Sequence, residues 1–304
     1  MLYEHFTAVH KMITTNSTEL KNILKDRKTA VALGSFDALH KGHIYVIGKA
    51  VEYAKKNNLT ALVQLVEIPT RLRINTLETR LDILEKMGVE VVVVEQFTES
   101  FRSVNYKSFI CEFLSDKYNA AAVFCGDNYR FGYMAEGDTD KLSEGCSKCG
   151  ISVNVIPCVE IEGVVSSTVI REFIKNGDME KAAEYMTRPY SISGEVIHGK
   201  GLGKTLGFPT ANIGIPTDAV IPKPGVYLTQ VRFDGKVYNG ITNIGTKPTV
   251  GVDEVNIETY INQYSGDLYG KTITVEFKKR LRDIKKFDSL EELKAQIEKD
   301  KTEI

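Results

Sequence analysis

The chain has no tryptophan, only eight prolines and five cysteines in 304 residues, and a formal net charge of −1. Each shortage excludes a class of protein. Five scattered cysteines, Cys111, Cys125, Cys146, Cys149 and Cys158, are too few for a disulfide framework in a chain this long, and they read as reduced thiols. Cys146 and Cys149 form a Cys-x-x-Cys, but no second pair follows at zinc-ribbon spacing, so no metal or redox role is assigned to it. The near-zero charge argues against nucleic acid as a partner. No apolar run approaches the roughly 18 to 20 residues of a membrane span, and the N-terminus lacks the basic-then-apolar pattern of a secretion signal. The reading is a cytoplasmic protein, with small anionic ligands left open. What remains is ordinary globular composition, 42% hydrophobic and 26% charged, long enough for two domains.

Most of the chemical information lies in one stretch, Gly199 to Ile213. Gly199, Gly201 and Gly203 leave a backbone without Cβ atoms, able to lay N–H groups against anionic oxygens, so the expected guest is phosphate. Pro209 then fixes φ ahead of Thr210 and Asn212, whose spacing puts a hydroxyl and an amide oxygen on one side of an extended segment. Such neutral oxygens suit Mg²⁺, which takes one or two protein ligands when it also holds substrate phosphates. A flexible hairpin is the plainer reading of the glycines alone. The run is not a P-loop, which would need Gly-Lys-Ser/Thr opening a helix.

The first half alternates strands and helices. Thr29 to Phe36 reads as a buried strand running through Gly34-Ser35-Phe36-Asp37-Ala38-Leu39-His40-Lys41-Gly42-His43 into a helix with Ile44, Ile47, Ala50, Val51 and Ala54 at helical spacing. His40 and His43 flank that helix start, where free N–H groups and the dipole favour an anion; two surface histidines at a cap are the plainer alternative. Further strands are predicted at Leu59 to Val66, Val89 to Val94, Ala120 to Cys125 and Ile151 to Ile156. Helices are predicted around Leu77 to Met87, Phe109 to Leu114 and Leu142 to Cys149. The alternation implies a parallel sheet with right-handed crossovers. Ser166-Ser167-Thr168-Val169-Ile170-Arg171 opens another helix with hydroxyls and, one turn in, a guanidinium, which suits either plain capping or a phosphate clamp.

After Met186 the pattern breaks at Arg188-Pro189-Tyr190. Strand-like pieces at Ser191 to His198, Gly225 to Phe233, Lys236 to Gly240, Asn256 to Ile261 and Lys271 to Phe277 follow, with Asp234-Gly235 as a hairpin signal. This reads as a small closed all-β domain with one final helix through Leu290, Leu293 and Ile297.

Nearly the whole chain resembles the bacterial bifunctional riboflavin kinase/FAD synthetase family. The first half carries Gly34-x-Phe36-Asp37-x-x-His40-x-Gly42-His43, Gly126-x-Asn128-Tyr129-x-Phe131-Gly132 and Ser166-Ser167-Thr168-x-Ile170-Arg171. The second carries Gly207-Phe208-Pro209-Thr210-Ala211-Asn212, Pro224-Gly225-Val226-Tyr227, Asn243-Ile244-Gly245-x-x-Pro248-Thr249 and the Glu258 strand. The resemblance implies an α/β chain: a Rossmann-like nucleotidyltransferase (FMN adenylyltransferase) domain over residues 1–186, then a Greek-key type riboflavin kinase barrel with a C-terminal helix over 187–304.

The resemblance also implies substrates and roles. Riboflavin would take the γ-phosphoryl of ATP to give FMN, with Glu258 as general base, Thr210 and Asn212 on Mg²⁺, Gly199, Gly201, Gly203 and Lys204 around the ATP phosphates, and Arg282 at the flavin. FMN would then attack a second ATP to give FAD and pyrophosphate, with His40 and His43 at the reaction and Gly34, Phe36, Asn128, Ser167, Thr168 and Arg171 on the nucleotide. The chain departs from the family pattern at Ala38, Val169, Lys204 and Ile284. The segment Leu65-Val66-Glu67-Ile68-Pro69-Thr70, moreover, runs quickly to the next helix where the family has Phe-x-Pro-His-Pro and a longer connection that helps cover the flavin. Two readings stand: a bifunctional enzyme with FAD synthesis weaker than FMN synthesis, or a riboflavin kinase fused to a weak or non-catalytic nucleotide- or flavin-binding module.

Overall fold

The computed structural model describes residues 11–69, 71–199, 207–249 and 252–304. The chain forms two compact units, the first holding residues up to Arg71 with Thr76–Val165, the second Leu72–Asn75 with Ser166–Ile304.

The first unit is built on a six-stranded parallel sheet: β1 (Ile13–Thr15), β2 (Thr29–Leu33), β3 (Thr60–Glu67), β4 (Val91–Gln96), β5 (Ala120–Gly126) and β6 (Ser152–Ile156), in the order β1-β4-β3-β2-β5-β6. The inner strands β2 to β5 are mostly apolar without alternation because both faces are covered. Val31, Leu33, Leu62, Val91 and Val93 pack on one side with Leu20, Phe109, Phe113, Leu142 and Cys146. Ala30, Ala32, Val63, Leu65 and Val92 pack on the other with Val46, Ile47, Ala50 and Leu84. Helix α1 spans Leu20–Leu24. Helix α2 (Lys41–Asn57) crosses from β2 to β3, and α3 (Leu77–Lys86), capped by Thr76, crosses to β4. Short helices α4 (Glu99–Arg102) and α5 (Tyr106–Ser108) precede a wide, π-type helix over Phe109–Lys117, and α6 (Thr139–Lys148) leads to β6. The chain winds outward from β2 through β3 and β4, then returns to β5 on the other side. That reversal sets a crevice at the carboxyl ends of β2 and β5, where ligands of open α/β sheets bind.

The second unit holds a closed antiparallel barrel of β7 (Tyr190–Ile197), β8 (Thr210–Ile213), β9 (Gly225–Phe233), β10 (Lys236–Thr249), β11 (Val252–Ile261) and β12 (Thr272–Arg282), in the order β10-β11-β8-β7-β12-β9. Alternate residues Ile213, Val231, Ile244, Ile257, Val275 and Phe277 are fully buried inside it. They enclose a relay of hydroxyls, Thr229 to Thr242 and Thr242 to Thr259, each 2.9 Å apart, so each of these three buried hydroxyls has a partner. Asp234 and Gly235, at φ 48° and 71°, make the two-residue turn expected from the sequence. The strand expected at Lys236 to Gly240 instead continues to Thr249, and Asn243 and Gly245 sit within it.

Two helices, α7 (Ser167–Asn176) and α8 (Met179–Met186), belong to the second unit, with α8 packed on β7 and β12. The compact units thus divide at Val165/Ser166, earlier than the change of sequence pattern after Met186. Helix α9 (Leu290–Lys301) closes the chain, its start capped by Ser289 accepting from the Glu292 N–H at 3.2 Å.

Candidate functional site

In the first unit the turn after β2 is tightly built. A side chain at Gly34 would put its Cβ 2.9 Å from the Phe36 ring, while Phe36 and Leu39 hold φ of 46° and 43°. Left-handed backbone at bulky residues persists only where the surroundings enforce it, and it gathers at functional turns. His40 is the N-cap of α2, its Nδ1 accepting from the His43 N–H at 3.3 Å. The two imidazoles stack with centroids 3.6 Å apart, and Phe36 meets His43 edge-on at 5.1 Å. A helix N-terminus dressed with two imidazoles is a place for phosphate.

On the neighbouring strand, β5 ends in Gly126, Asp127 and Asn128. The Asp127 carboxylate accepts from the Cys158 thiol at 2.7 Å and from the Cys158 N–H at 3.0 Å. These bonds hold its carboxyl below the ordinary aspartate range and fix the turn that exposes Asn128.

The remaining groups expected at the adenylyl-transfer site ride on α7 and are therefore part of the second unit. Ser166 caps that helix, accepting from the Val169 N–H at 3.3 Å. Ser167 is buried, Thr168 exposed, and the Arg171 guanidinium donates to the carbonyls of Ser167 (3.3 Å) and Leu72 (3.2 Å).

The second unit carries its own site on the outer face of the barrel. Directly opposed register positions put Asn212 of β8, Glu258 of β11, Asn243 of β10, Val226 of β9 and Arg282 of β12 in one row. At about 4.8 Å per strand the row spans ~19 Å. Thr210 lies two residues before Asn212 on the same face, opposite Tyr260. A cavity of about 330 Å³ runs along the row, lined by Phe208, Thr210, Glu258, Tyr260, Ile284 and Phe287 and roofed by Leu293, Ile297 and Asp300 of α9. Arg282 lines it too, its guanidinium held by Asp300 through Nε at 3.1 Å and Nη2 at 2.7 Å. A second cavity, about 410 Å³, lies beside Pro209, Ala211, Tyr264, Leu268 and Tyr269, and the two share Thr210.

Two residues beyond Thr210 on β8, Asn212 is 6% exposed, and its Oδ1 has no hydrogen-bond partner among the described residues. A buried acceptor left open is costly unless something binds it. A Cβ on Gly199 would lie 2.7 Å from the same oxygen, so only glycine lets the backbone approach there. Gly201, Gly203 and Lys204 lie outside the described residues. Thr210 and Asn212 therefore offer neutral oxygens, one of them open, which fits a hard oxygen-binding cation.

The sequence did not single out Phe208, Tyr260, Phe287, Asp300 or Asn256 as members of this site. Tyr260 and Asn256 had a signal, since they alternate with Glu258 along one strand; the roof of α9 had none beyond an ordinary amphipathic pattern.

Comparison with known proteins agrees with this division of labour. A family model described as FAD synthetase matches residues 22–169, and one described as riboflavin kinase matches 186–304, so that most of α7 and all of α8 but its last residue fall between them. The bifunctional riboflavin kinase/FMN adenylyltransferase of Bacillus subtilis is 34% identical over 96% of this chain and 97% of its own length. The protein of that name from Escherichia coli is 34% identical over 89% of this chain and 90% of its own. A solved structure from Streptococcus pneumoniae, named a macrolide-efflux protein, superposes with a TM-score of 0.87 at 29% identity, covering 96% of this chain and 98% of that one. Among the described residues no helix is long and apolar enough to cross a membrane. Matched in both halves and along nearly its full length, this chain belongs to the bifunctional riboflavin kinase/FMN adenylyltransferase family.

Proposed function

We infer that this protein makes FMN from riboflavin and ATP, and FAD from FMN and a second ATP. The observation that carries the kinase step is the junction at Thr210. Two cavities of ligand size share Thr210, with Glu258 lining the first, and the Asn212 oxygen, open among the described residues, belongs to the strand partner of Glu258. The cavity under α9, with Phe208, Tyr260 and Phe287 as apolar walls, suits the isoalloxazine ring; the second cavity suits ATP. The flavin 5′-hydroxyl then faces the γ-phosphate at the shared wall.

Glu258 accepts the hydroxyl proton as the oxygen bonds to the γ-phosphorus and the bond to ADP breaks. Thr210 and Asn212 would hold Mg²⁺, which supplies neutralisation of phosphate charge when bound. The glycine at 199 lets the backbone close on Asn212.

Adenylyl transfer needs no strong base, because a phosphate monoester is already an anionic nucleophile. His40, His43 and the N–H groups opening α2 would receive the phosphates at the switch point of the sheet, with Asn128 from β5 beside them; nucleotide roles for Ser167, Thr168 and Arg171 rest on family likeness alone. Incubation with riboflavin, ATP and Mg²⁺, followed by separation of the flavins, tests both halves. FMN appears first and FAD follows; FMN without any FAD at high FMN concentration would leave only the kinase.

A further inference from the structure

Among the described residues the Glu258 carboxylate accepts a single hydrogen bond, at Oε1 from the Asn256 Nδ2 at 2.6 Å. Asn256 precedes Glu258 by two residues on β11, so strand geometry puts both side chains on the outer face of the barrel. The position opposite Asn256 on β10 is Gly245, which has no side chain, and the Asn256 carboxamide is free to turn along the strand toward the carboxylate. Asn243 and Asn212 flank Glu258 across the strands but donate no hydrogen bond to it.

We propose that Asn256 is a positioning residue for phosphoryl transfer. Glutamate carries several rotatable bonds, and a general base works only when one oxygen sits within hydrogen-bond reach of the proton it takes. Pinning Oε1 fixes the carboxylate plane and commits Oε2 to the flavin 5′-hydroxyl. The proton passes to Oε2, the hydroxyl electron pair forms the new O–P bond, and ADP departs with the electrons of the broken one. The amide remains a donor throughout, so it takes no part in the proton's transfer. This inference rests on Glu258 being the base.

The test is a double-mutant cycle on the full-length protein. Asn256→Ala lowers kcat for riboflavin phosphorylation by a factor on the order of 10, a misplacement effect, while KM for riboflavin and ATP stay within about twofold. Asn256→Asp has nearly the same shape, replaces the donor with a carboxylate facing Glu258, and costs more. In a Glu258→Gln background, followed over long incubations, Asn256→Ala has no further effect, because the group it orients is gone. Adenylylation of supplied FMN by the same samples stays normal, and an unchanged thermal melt shows that the barrel carrying the variants is folded. Unchanged kcat in both Asn256 variants overturns the proposal, and so does an Asn256→Ala loss that persists at full size beside Glu258→Gln. If Glu258→Gln alone leaves phosphorylation within a few fold of normal, the assignment of the base fails instead.

Discussion

Asn212 and Glu258 face one another from paired strands on the outside of the barrel, the amide with an open oxygen and the carboxylate with one oxygen held. That pairing joins the proposed metal ligand and the proposed base in one register position, so the two are fixed by backbone hydrogen bonds and do not depend on loop conformation. Glu258→Gln should therefore leave the fold and nucleotide binding intact and lower FMN formation by on the order of 10² or more. Supplied FMN should still become FAD at the normal rate. Product chromatography on the purified variant decides it, and kinase turnover within a few fold of normal would remove Glu258 from the role.

Gly199→Ala probes the other side of the same amide. Its Cβ would overlap the Asn212 carboxamide, in an exposed segment where the fold has little at stake. The expected result is a raised Mg²⁺ requirement and about tenfold slower phosphorylation at fixed metal, with an unchanged melting temperature. A magnesium titration of kinase activity measures it; a normal titration curve would show that Gly199 does not support the cation site.

The parallel sheet was legible because β2, β4 and β5 carry unbroken apolar runs separated by helical periodicity, and the turn from Gly34 to His43 announced itself by its glycines and histidines. The barrel was harder. Its longest strand, β10, puts Asn239, Asn243 and Gly245 on or beside a functional outer face, and polar residues there look like loop residues when no register is known. The cross-strand row from Asn212 to Arg282 was foreseen as residues but not as a row, since sequence spacing carries no information about which strands are neighbours. Arg282 reads as a flavin contact by resemblance, but its holder Asp300, 18 residues away, could not be identified from any local pattern.

His43→Ala should remove FAD synthesis, by on the order of 10² or more, while FMN production continues. His43 stacks on His40 at the start of α2 and does not cap it, so the helix keeps its cap. His40→Ala removes the cap as well and should cost about 1 kcal/mol of stability in addition. Coupled measurement of FMN and FAD, with thermal melts, separates the two; equal melting temperatures would contradict the capping role.

The five thiols should differ sharply in reactivity. Burial pushes Cys125 and Cys146 up to about 12, and burial with the Asp127 carboxylate pushes Cys158 up to about 11. Cys111 and Cys149 are exposed. At pH 8 a thiol reagent should label the exposed pair first, Cys158 slowly, and the buried pair only on unfolding. The linkage has a definite sign: from about pH 9 to about 12 the folded state keeps the Cys125 and Cys146 protons that the unfolded chain releases, so stability falls as pH rises across that window. Prompt labelling of all five in the folded protein would contradict this.

The helices between the two family matches offer the last test. Met179, Ala182, Tyr185 and Met186 of α8 are buried, and the helix packs on β7 and β12 of the barrel. A fragment starting at Thr187 would expose the barrel surface that α8 covers; one starting at Ser166 would keep it covered. Both lack Leu72–Asn75, which belongs to the same unit and whose Arg73 pairs with Asp218 at 2.7 Å, so a comparison of the two isolates the helices. Burying a large apolar side chain is worth roughly 1.5–3 kcal/mol, and three of the four are large. The 166–304 fragment should fold, phosphorylate riboflavin, and melt on the order of 10 °C or more above the 187–304 fragment. Should the shorter fragment melt at the same temperature with the same turnover, α7 and α8 contribute nothing to the barrel's stability, and the functional boundary lies after Met186.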